Sequence, residues 1–296
     1  MDELYHDNGK ETFLVHYRKG PSYQMTTSHF HTTYEFFYMM DGQRKFFIKD
    51  RTLIIEGGDI VVVAPNVLHR TTSAETPEYE RLVVNVHESY LPEGGGSRSE
   101  VLRPLYERDY VLLRRGAYES SGVDALAGEM IREVRSGKPG FEAYAQALTT
   151  QLLIACCRLL PEEEEQPPAH NPMHERIFEV VRYINGHYAE ELTLQKLGGK
   201  LYVSPYSISR SFKEATGFTF VEYVNSVRVK EAITLLLGTT LKVNVIARKV
   251  GFGSVTHFGR VFREVTGHAP LFYRKESQVR EEVSADTRRS AAKRVK

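Results

Sequence analysis

Tryptophan is absent from this chain of 296 residues, and cysteine occurs only twice. Cys156 and Cys157 are neighbours, so they build neither a disulfide framework nor a zinc finger, and on an apolar stretch they read as packed thiols. No apolar run approaches the roughly eighteen residues that cross a bilayer. The opening Met1-Asp-Glu-Leu-Tyr-His lacks the basic and apolar segments of an export signal, which predicts a cytoplasmic protein. The sequence holds no Gly-x-x-x-x-Gly-Lys-Ser/Thr phosphate loop and no Gly-x-Ser-x-Gly elbow, and His87-Glu88 meets Leu91 where a zinc protease needs a second histidine. No nucleophile is indicated and no catalytic residue is expected.

Net charge is small as well, at +1, but it is unevenly spread. Residues 171–275 carry 15 lysines and arginines against 8 acidic residues, whereas residues 1–170 carry 18 against 26. A basic module tethered to an acidic one confines attraction for phosphate to one end of the chain.

That basic module contains a repeat. Ser204 to Tyr223 superposes on Ser254 to Tyr273 with seven identities: Ser204/Ser254, Arg210/Arg260, Phe212/Phe262, Glu214/Glu264, Thr216/Thr266, Gly217/Gly267 and Tyr223/Tyr273. Ser204-Pro205 and Ser254 are helix N-caps, Gly217 and Gly267 stand where left-handed C-caps belong, and Ile208/Phe212 and Phe258/Phe262 form narrow apolar stripes. A shorter apolar helix precedes each copy, at Leu194–Leu197 and Val243–Ala247. The joint in copy two is Gly251-Phe252-Gly253, and in copy one it is one residue shorter, at Tyr202-Val203. A short helix crossing to a second with a basic outer face is a helix-turn-helix, the geometry that enters a DNA major groove. Met173–Tyr188 opens the module as a helix, and Phe220–Leu237 reads as a long helix between the motifs. Held by such a spacer, two recognition helices reach successive grooves roughly 34 Å apart.

These residues resemble the DNA-binding domain of AraC/XylS transcription regulators. The resemblance is carried by Ser204 to Lys213, Arg228-Val-Lys-Glu-Ala232, Ile246 to Phe252 and Gly267-His-Ala-Pro270. Gly198-Gly199 departs from it, since an alanine usually stands there; two helical glycines cost about 1 kcal/mol each against alanine. The resemblance implies DNA contact from Tyr206, Ser207, Ser209, Arg210 and Lys213 in the first motif. In the second it implies contact from Val255, Thr256, His257, Arg260 and Arg263. Arginine suits guanine edges, while Lys213 and Arg263 suit phosphate. Internal pairing of Arg210 with Glu214 and of Arg260 with Glu264 is the alternative at those positions.

From Phe13 to Val86 the pattern is of short strands: Tyr34–Met40, Lys45–Ile48, Thr52–Ile55, Ile60–Val63 and Arg81–Val86. The turns between them are Asp41-Gly42, Lys49–Arg51, Glu56–Asp59 and Ala64–Val67. This predicts an antiparallel barrel or sandwich. His29, His31 and Glu35 share strand parity, and His-x-His-x-x-x-Glu followed by Gly58-Asp59 and Pro65 to His69 resembles the paired cupin motifs. Three readings stay open for His29, His31, Tyr34, Glu35 and His69: lining an effector pocket, structural histidines, or, for the histidines and the glutamate, a divalent metal site. No cofactor is required by the first two. Ser73 stands where an asparagine often follows the last cupin histidine, which weakens the enzyme alternative, a cupin metalloenzyme with an accessory DNA-binding module.

Helical spacing follows at 123–134 and again at 141–160, where the apolar face packs either in cis or on a second copy. Pro161-Glu-Glu-Glu-Glu-Gln-Pro-Pro168 is a linker, and the charged residues 276–296 lose apolar periodicity. The expected fold is α+β in two domains. Residues 1–160 form a cupin-like β-barrel with two trailing helices, 161–171 a linker, 172–275 an all-α domain with two helix-turn-helix motifs, and 276–296 a disordered tail. The resemblance implies a DNA-binding transcription regulator, more often an activator, answering to a small molecule such as a sugar. The partners implied are double-stranded DNA, RNA polymerase and a second copy of the chain, with no membrane.

Overall fold

A computed structural model of the protein describes residues 1–10, 12–21, 31–91, 97–117, 122–160 and 172–275. The expected linker at 161–171 and the tail at 276–296 lie outside the described residues, as does His29. Two units are resolved by contact, Met1–Ala169 and His170–Lys296. Among the described residues no helix is long and apolar enough to cross a membrane.

The first unit is built on antiparallel strands: β1 (Asp2–Asp7), β2 (Phe13–Pro21), β3 (Tyr34–Ile48), β4 (Arg51–Glu56), β5 (Ile60–Val63), β6 (His69–Ser73), β7 (Glu78–Val86) and β8 (Tyr110–Leu113). The expected turn at Asp41-Gly42 does not form, because β3 continues through it as one strand of 15 residues. Its register against β7 slips between Met39 and Asp41, a bulge that bends the strand without reversing it. Gly42 has φ +85°, and a Cβ there would lie 2.6 Å from the Glu78 carbonyl oxygen, so the bend needs glycine. Before the bend β3 pairs with β5 and β7; beyond it, with β4 and β6. One strand therefore belongs to two leaves of sheet.

Alternation along β3 sorts its side chains. Phe36 and Tyr38 join Ile60, Val62, Leu82 and Val84 on the face covered by three helices, α1 (Ser97–Glu107), α2 (Val123–Ser136) and α3 (Phe141–Arg158). Phe37, Met39, Phe46 and Ile48 pack with Leu53, Ile55, Val61, Val63 and Val83 in a second cluster between the leaves. The apolar face of α3, with Ala145, Leu148, Leu152 and Cys156, is buried within its own unit, which decides for packing in cis. Burial pushes the Cys157 thiol up to about 11 and that of Cys156 higher still, so neither is a ready thiolate at neutral pH. Strands β1, β2, β6 and β8 and helix α1 had no clear sequence signal.

The second unit is helical: α4 (Pro172–His187), α5 (Leu194–Leu201), α6 (Pro205–Thr216), α7 (Phe220–Gly238), α8 (Val243–Lys249) and α9 (Val255–Thr266), with a further helical segment at 270–275. Most of the repeated residues turn out to be scaffold. The Ser204 and Ser254 hydroxyls accept from the backbone N–H of Ser207 and His257, at 3.1 and 3.4 Å. Thr216 and Thr266 donate to the carbonyls of Phe212 and Phe262 and accept from the N–H two residues on. Gly217 and Gly267 close their helices at φ +77°. Phe212 meets Tyr223 edge-on at 5.5 Å, and Phe262 meets Tyr273 in the same way at 5.5 Å.

The shorter joint of the first motif explains the first glycine of the pair. Tyr202 adopts φ +56°, and the Val203 carbonyl folds back over α5 until a Cβ on Gly198 would stand 2.7 Å from it. Nothing lies within 4 Å of the corresponding Cβ on Gly199. Gly198 is thus a spatial requirement, and Gly199 is not.

Candidate functional site

Helices α6 and α9 present the side chains that the sequence singled out. Tyr206, Ser209, Arg210 and Lys213 are exposed on α6, and Val255, Thr256, His257, Arg260 and Arg263 are exposed on α9. Opposite them, Ile208 and Phe212, and Phe258 and Phe262, are buried, so each helix divides cleanly into a core stripe and an outer face. Ser207 departs from the set: it is half-buried and its hydroxyl lies 2.8 Å from that of Ser204, bound into the cap. Among the described residues no ion pair engages Arg210, Lys213, Arg260 or Arg263, so the internal pairing with Glu214 and Glu264 is not formed. Two of the positions where the copies differ, Tyr206 against Thr256 and Ser207 against His257, lie at the N-terminal ends of these helices, where a recognition helix meets base edges. Tyr202, at the C-cap of α5 in the joint of the first motif, is 95% exposed and is a further aromatic side chain free to meet a ligand there.

The second site lies in the sheet unit. Glu35 shares the parity of Phe37 and Met39 and points between the leaves; it is 5% exposed. His31 precedes β3 instead of extending it, and reaches Glu35 through a local turn: its Nδ1–H donates to the Thr33 carbonyl at 2.8 Å and its Nε2 lies 3.1 Å from Glu35 Oε2. His69, at the start of β6, donates Nδ1–H to the Val67 carbonyl at 2.8 Å and sets Nε2 3.5 Å from Glu35 Oε1. Its ring stacks on Phe46 at 5.9 Å. Tyr34 is not part of this group. It lies on the opposite face of β3, edge-on to Tyr106 at 6.1 Å.

Asn85, across from Glu35 on β7, completes the cluster: its Nδ2 donates to Glu35 Oε2 at 3.4 Å and lies 3.1 Å from His31 Nε2. Asn85 was invisible in the sequence because its role depends on the register of two strands. Burial works against the Glu35 charge, but the imidazoles of His69 and His31 outweigh it and hold the carboxyl well below its usual range. Burial likewise opposes charge on His69, yet the Glu35 carboxylate and the Val67 carbonyl raise its pKa.

His31, Glu35 and His69 place one ligand atom each within 4.8 Å of one another. With both Nδ1–H groups bound to carbonyls, the Nε2 atoms face the carboxylate. That is the donor set and outer-shell arrangement that suits a divalent cation, and an imidazolium–carboxylate pair equally.

A family model described as an AraC-like ligand binding domain matches residues 13–153, and one described as a helix-turn-helix domain matches residues 197–276. The uncharacterized HTH-type transcriptional regulator YisR of Bacillus subtilis (strain 168) is 27% identical over 254 residues, covering 82% of this chain and 86% of that protein. The arabinose operon regulatory protein of Escherichia coli (strain K12) is 27% identical over 150 residues, 50% of each chain. Among solved structures, the C-terminal domain of AraT, a response regulator from Geobacillus stearothermophilus, is 30% identical, covering 37% of this chain and 88% of that one with a TM-score of 0.34.

Proposed function

The chain belongs to the AraC family of transcriptional regulators, and on that premise we propose that α6 and α9 bind neighbouring major grooves of one DNA duplex in response to a small molecule held by the sheet unit. The observation that carries this reading is the pair of matched faces on which Arg210, Lys213, Arg260 and Arg263 are exposed and engaged by no acidic side chain among the described residues. Arg210 and Arg260 take base edges or phosphate; Lys213 and Arg263 take phosphate. Tyr206, Ser209, Val255, Thr256 and His257 supply the remaining contacts, with Ser207 acting through the cap.

The effector site is centred on His31, Glu35, His69 and Asn85. A buried carboxylate and a half-buried amide, with the His69 ring stacked on Phe46, suit a polyhydroxylated ligand, so sugars are the first class to screen. The outcome is activation, with RNA polymerase as the protein partner and the cytoplasm as the site of action. A second copy of the chain docks on the outer side of α3, where Ala143, Tyr144 and Ala147 are exposed. Selection of random duplex DNA on the purified chain, with and without added sugars, tests the reading. Enrichment of paired half-sites supports it, and recovery of no preferred sequence overturns it.

A second reading of the sensor site is favoured by the two carbonyl-bound imidazoles. A divalent cation held by His31, Glu35 and His69 would supply a Lewis-acidic anchor for an effector's oxygens. Elemental analysis decides: stoichiometric metal that is lost in E35Q supports this occupant, and a metal-free protein that still binds effector excludes it.

A further inference from the structure

We propose that Arg228 is a positioning residue: it clamps the second helix-turn-helix motif to the first and so fixes the half-site spacing at which the protein binds DNA. The inference rests on the DNA-facing reading of α6 and α9, and it adds a residue that touches no DNA.

Arg228 lies in α7. Its Nε donates to the Tyr188 carbonyl at 2.8 Å and its Nη2 to the Glu190 carbonyl at 2.8 Å, both in the segment that leads from α4 into the first motif. The same guanidinium stands 5.6 Å from the ring centroid of Phe252, in the joint of the second motif. From the other side, Gly251 lies directly on that segment. A Cβ there would be 2.9 Å from the Tyr188 and Ala189 carbonyl oxygens and 3.0 Å from Arg228 Nε, and its φ of +92° already favours glycine. The backbone of one motif thus rests on the backbone of the other, and a two-pronged cation closes the joint. Lysine supplies a point charge in place of that fork.

The second recognition helix is one ring contact from this joint, and the first is reached through α4 and Tyr223. Phe252 meets Phe258 of α9 edge-on at 5.2 Å. On the first motif's side, the Tyr223 hydroxyl donates to Asn185 near the end of α4 at 3.0 Å, and the Tyr223 ring meets Phe212 of α6 at 5.5 Å. The chain from Thr239 to Lys242 is not helical, so the link from α7 into the second motif does not by itself fix their angle; the packing of α7 on α8 and α9 and the joint at Arg228 do so together. A tether sets effective concentration; the joint narrows it to one geometry.

The test uses the full chain as wild type, R228Q, R228K and G251A, each presented with random-sequence duplexes whose bound fraction is sequenced. Wild type is expected to enrich paired half-sites at one spacing. R228Q is expected to enrich the same half-sites over several neighbouring spacings. On the duplex selected by wild type it should bind about tenfold more weakly, while binding to a duplex with one half-site stays within about twofold. R228K falls between the two, and G251A, which opens the joint from the other side, broadens the spacing as R228Q does. An R228Q protein of unchanged melting temperature that keeps the single spacing and the affinity overturns the proposal. If R228Q does not fold, G251A decides on the same readout; if neither folds, Arg228 holds the fold and sets no spacing, and the proposal falls. If wild type enriches no sequence, the DNA reading itself fails, an outcome distinct from all of these.

Discussion

Two adjacent glycines of α5 are expected to respond to the same substitution with opposite sign. Replacing a helical glycine by alanine stabilises by about 1 kcal/mol when the methyl group meets nothing. That condition holds at exposed Gly199, where nothing lies within 4 Å of the new carbon. At buried Gly198 the same gain is opposed by a contact of 2.7 Å with the Val203 carbonyl oxygen. Backbone cannot swing aside as a flexible side chain does, and overpacking of this kind costs about 1–3 kcal/mol. G199A should therefore raise stability by up to about 1 kcal/mol, and G198A should lower it by up to about 2 kcal/mol. For a unit of this size each kcal/mol moves the midpoint by roughly 4–8 °C. Scanning calorimetry of the full chain reads both, with the transition of the sheet unit as an internal reference. Equal rises in the two variants would show that the shortened joint does not press on α5, and the account of Tyr202 and Gly198 would fall with it.

Other expectations concern DNA, pH and capping. R263A should weaken DNA binding evenly across sequences and lower the salt slope by about one, whereas R260A, if it reads a base, should relax the preference at one position by about 1–3 kcal/mol; competition binding at several salt concentrations separates them. The Glu35–His69 pair has two linkage limits. The raised His69 pKa gives a contribution that is full below 6.5 and lost as pH rises through the folded value. The lowered Glu35 pKa gives one that is present above 4.5 and lost as pH falls through the folded value. The midpoint of the sheet unit should therefore decline on the alkaline side, and E35Q should flatten that decline; an unchanged slope in E35Q would remove the pair from the account. Thr219 and Glu222 cap α7 reciprocally, at 3.3 and 2.7 Å, so T219A should cost about 1 kcal/mol in urea denaturation, and no loss would mean the cap is replaced by water.

What was legible in the sequence was whatever depends on neighbours along the chain. The caps at Ser204 and Ser254, the closing glycines and the apolar stripes of α6 and α9 are local, and they formed where the spacing put them. The repeat was visible because five of its seven identities hold these helices in place; Arg210 and Arg260 are the matched side chains turned outward with their glutamates. Contacts set by strand register were not legible. Asn85 meets Glu35 only because β7 pairs with β3 in one alignment, and Tyr34 leaves the site because alternation sends it to the other face. Asp41-Gly42 is a strong turn signal when read alone, but pairing on both flanks of β3 overrides it. His31 reached Glu35 by a different route from the one its parity suggested. Arg228 stands in one of the motifs that carry the family resemblance, but its contacts were not legible there, since its partners are carbonyls that any residue provides.

The shared strand has a consequence for how the interior exchanges with solvent. Because β3 is hydrogen-bonded to β4, β5, β6 and β7, the two leaves cannot part like covers without tearing it from its neighbours. A molecule bound beside Glu35 therefore meets leaves tied together by that strand, with His31 held to the turn before β6 by the Asn66 N–H donating to its carbonyl at 2.8 Å. Amide protons in the middle of β3 should then be the last of the sheet to exchange, and binding should leave the two leaves in place.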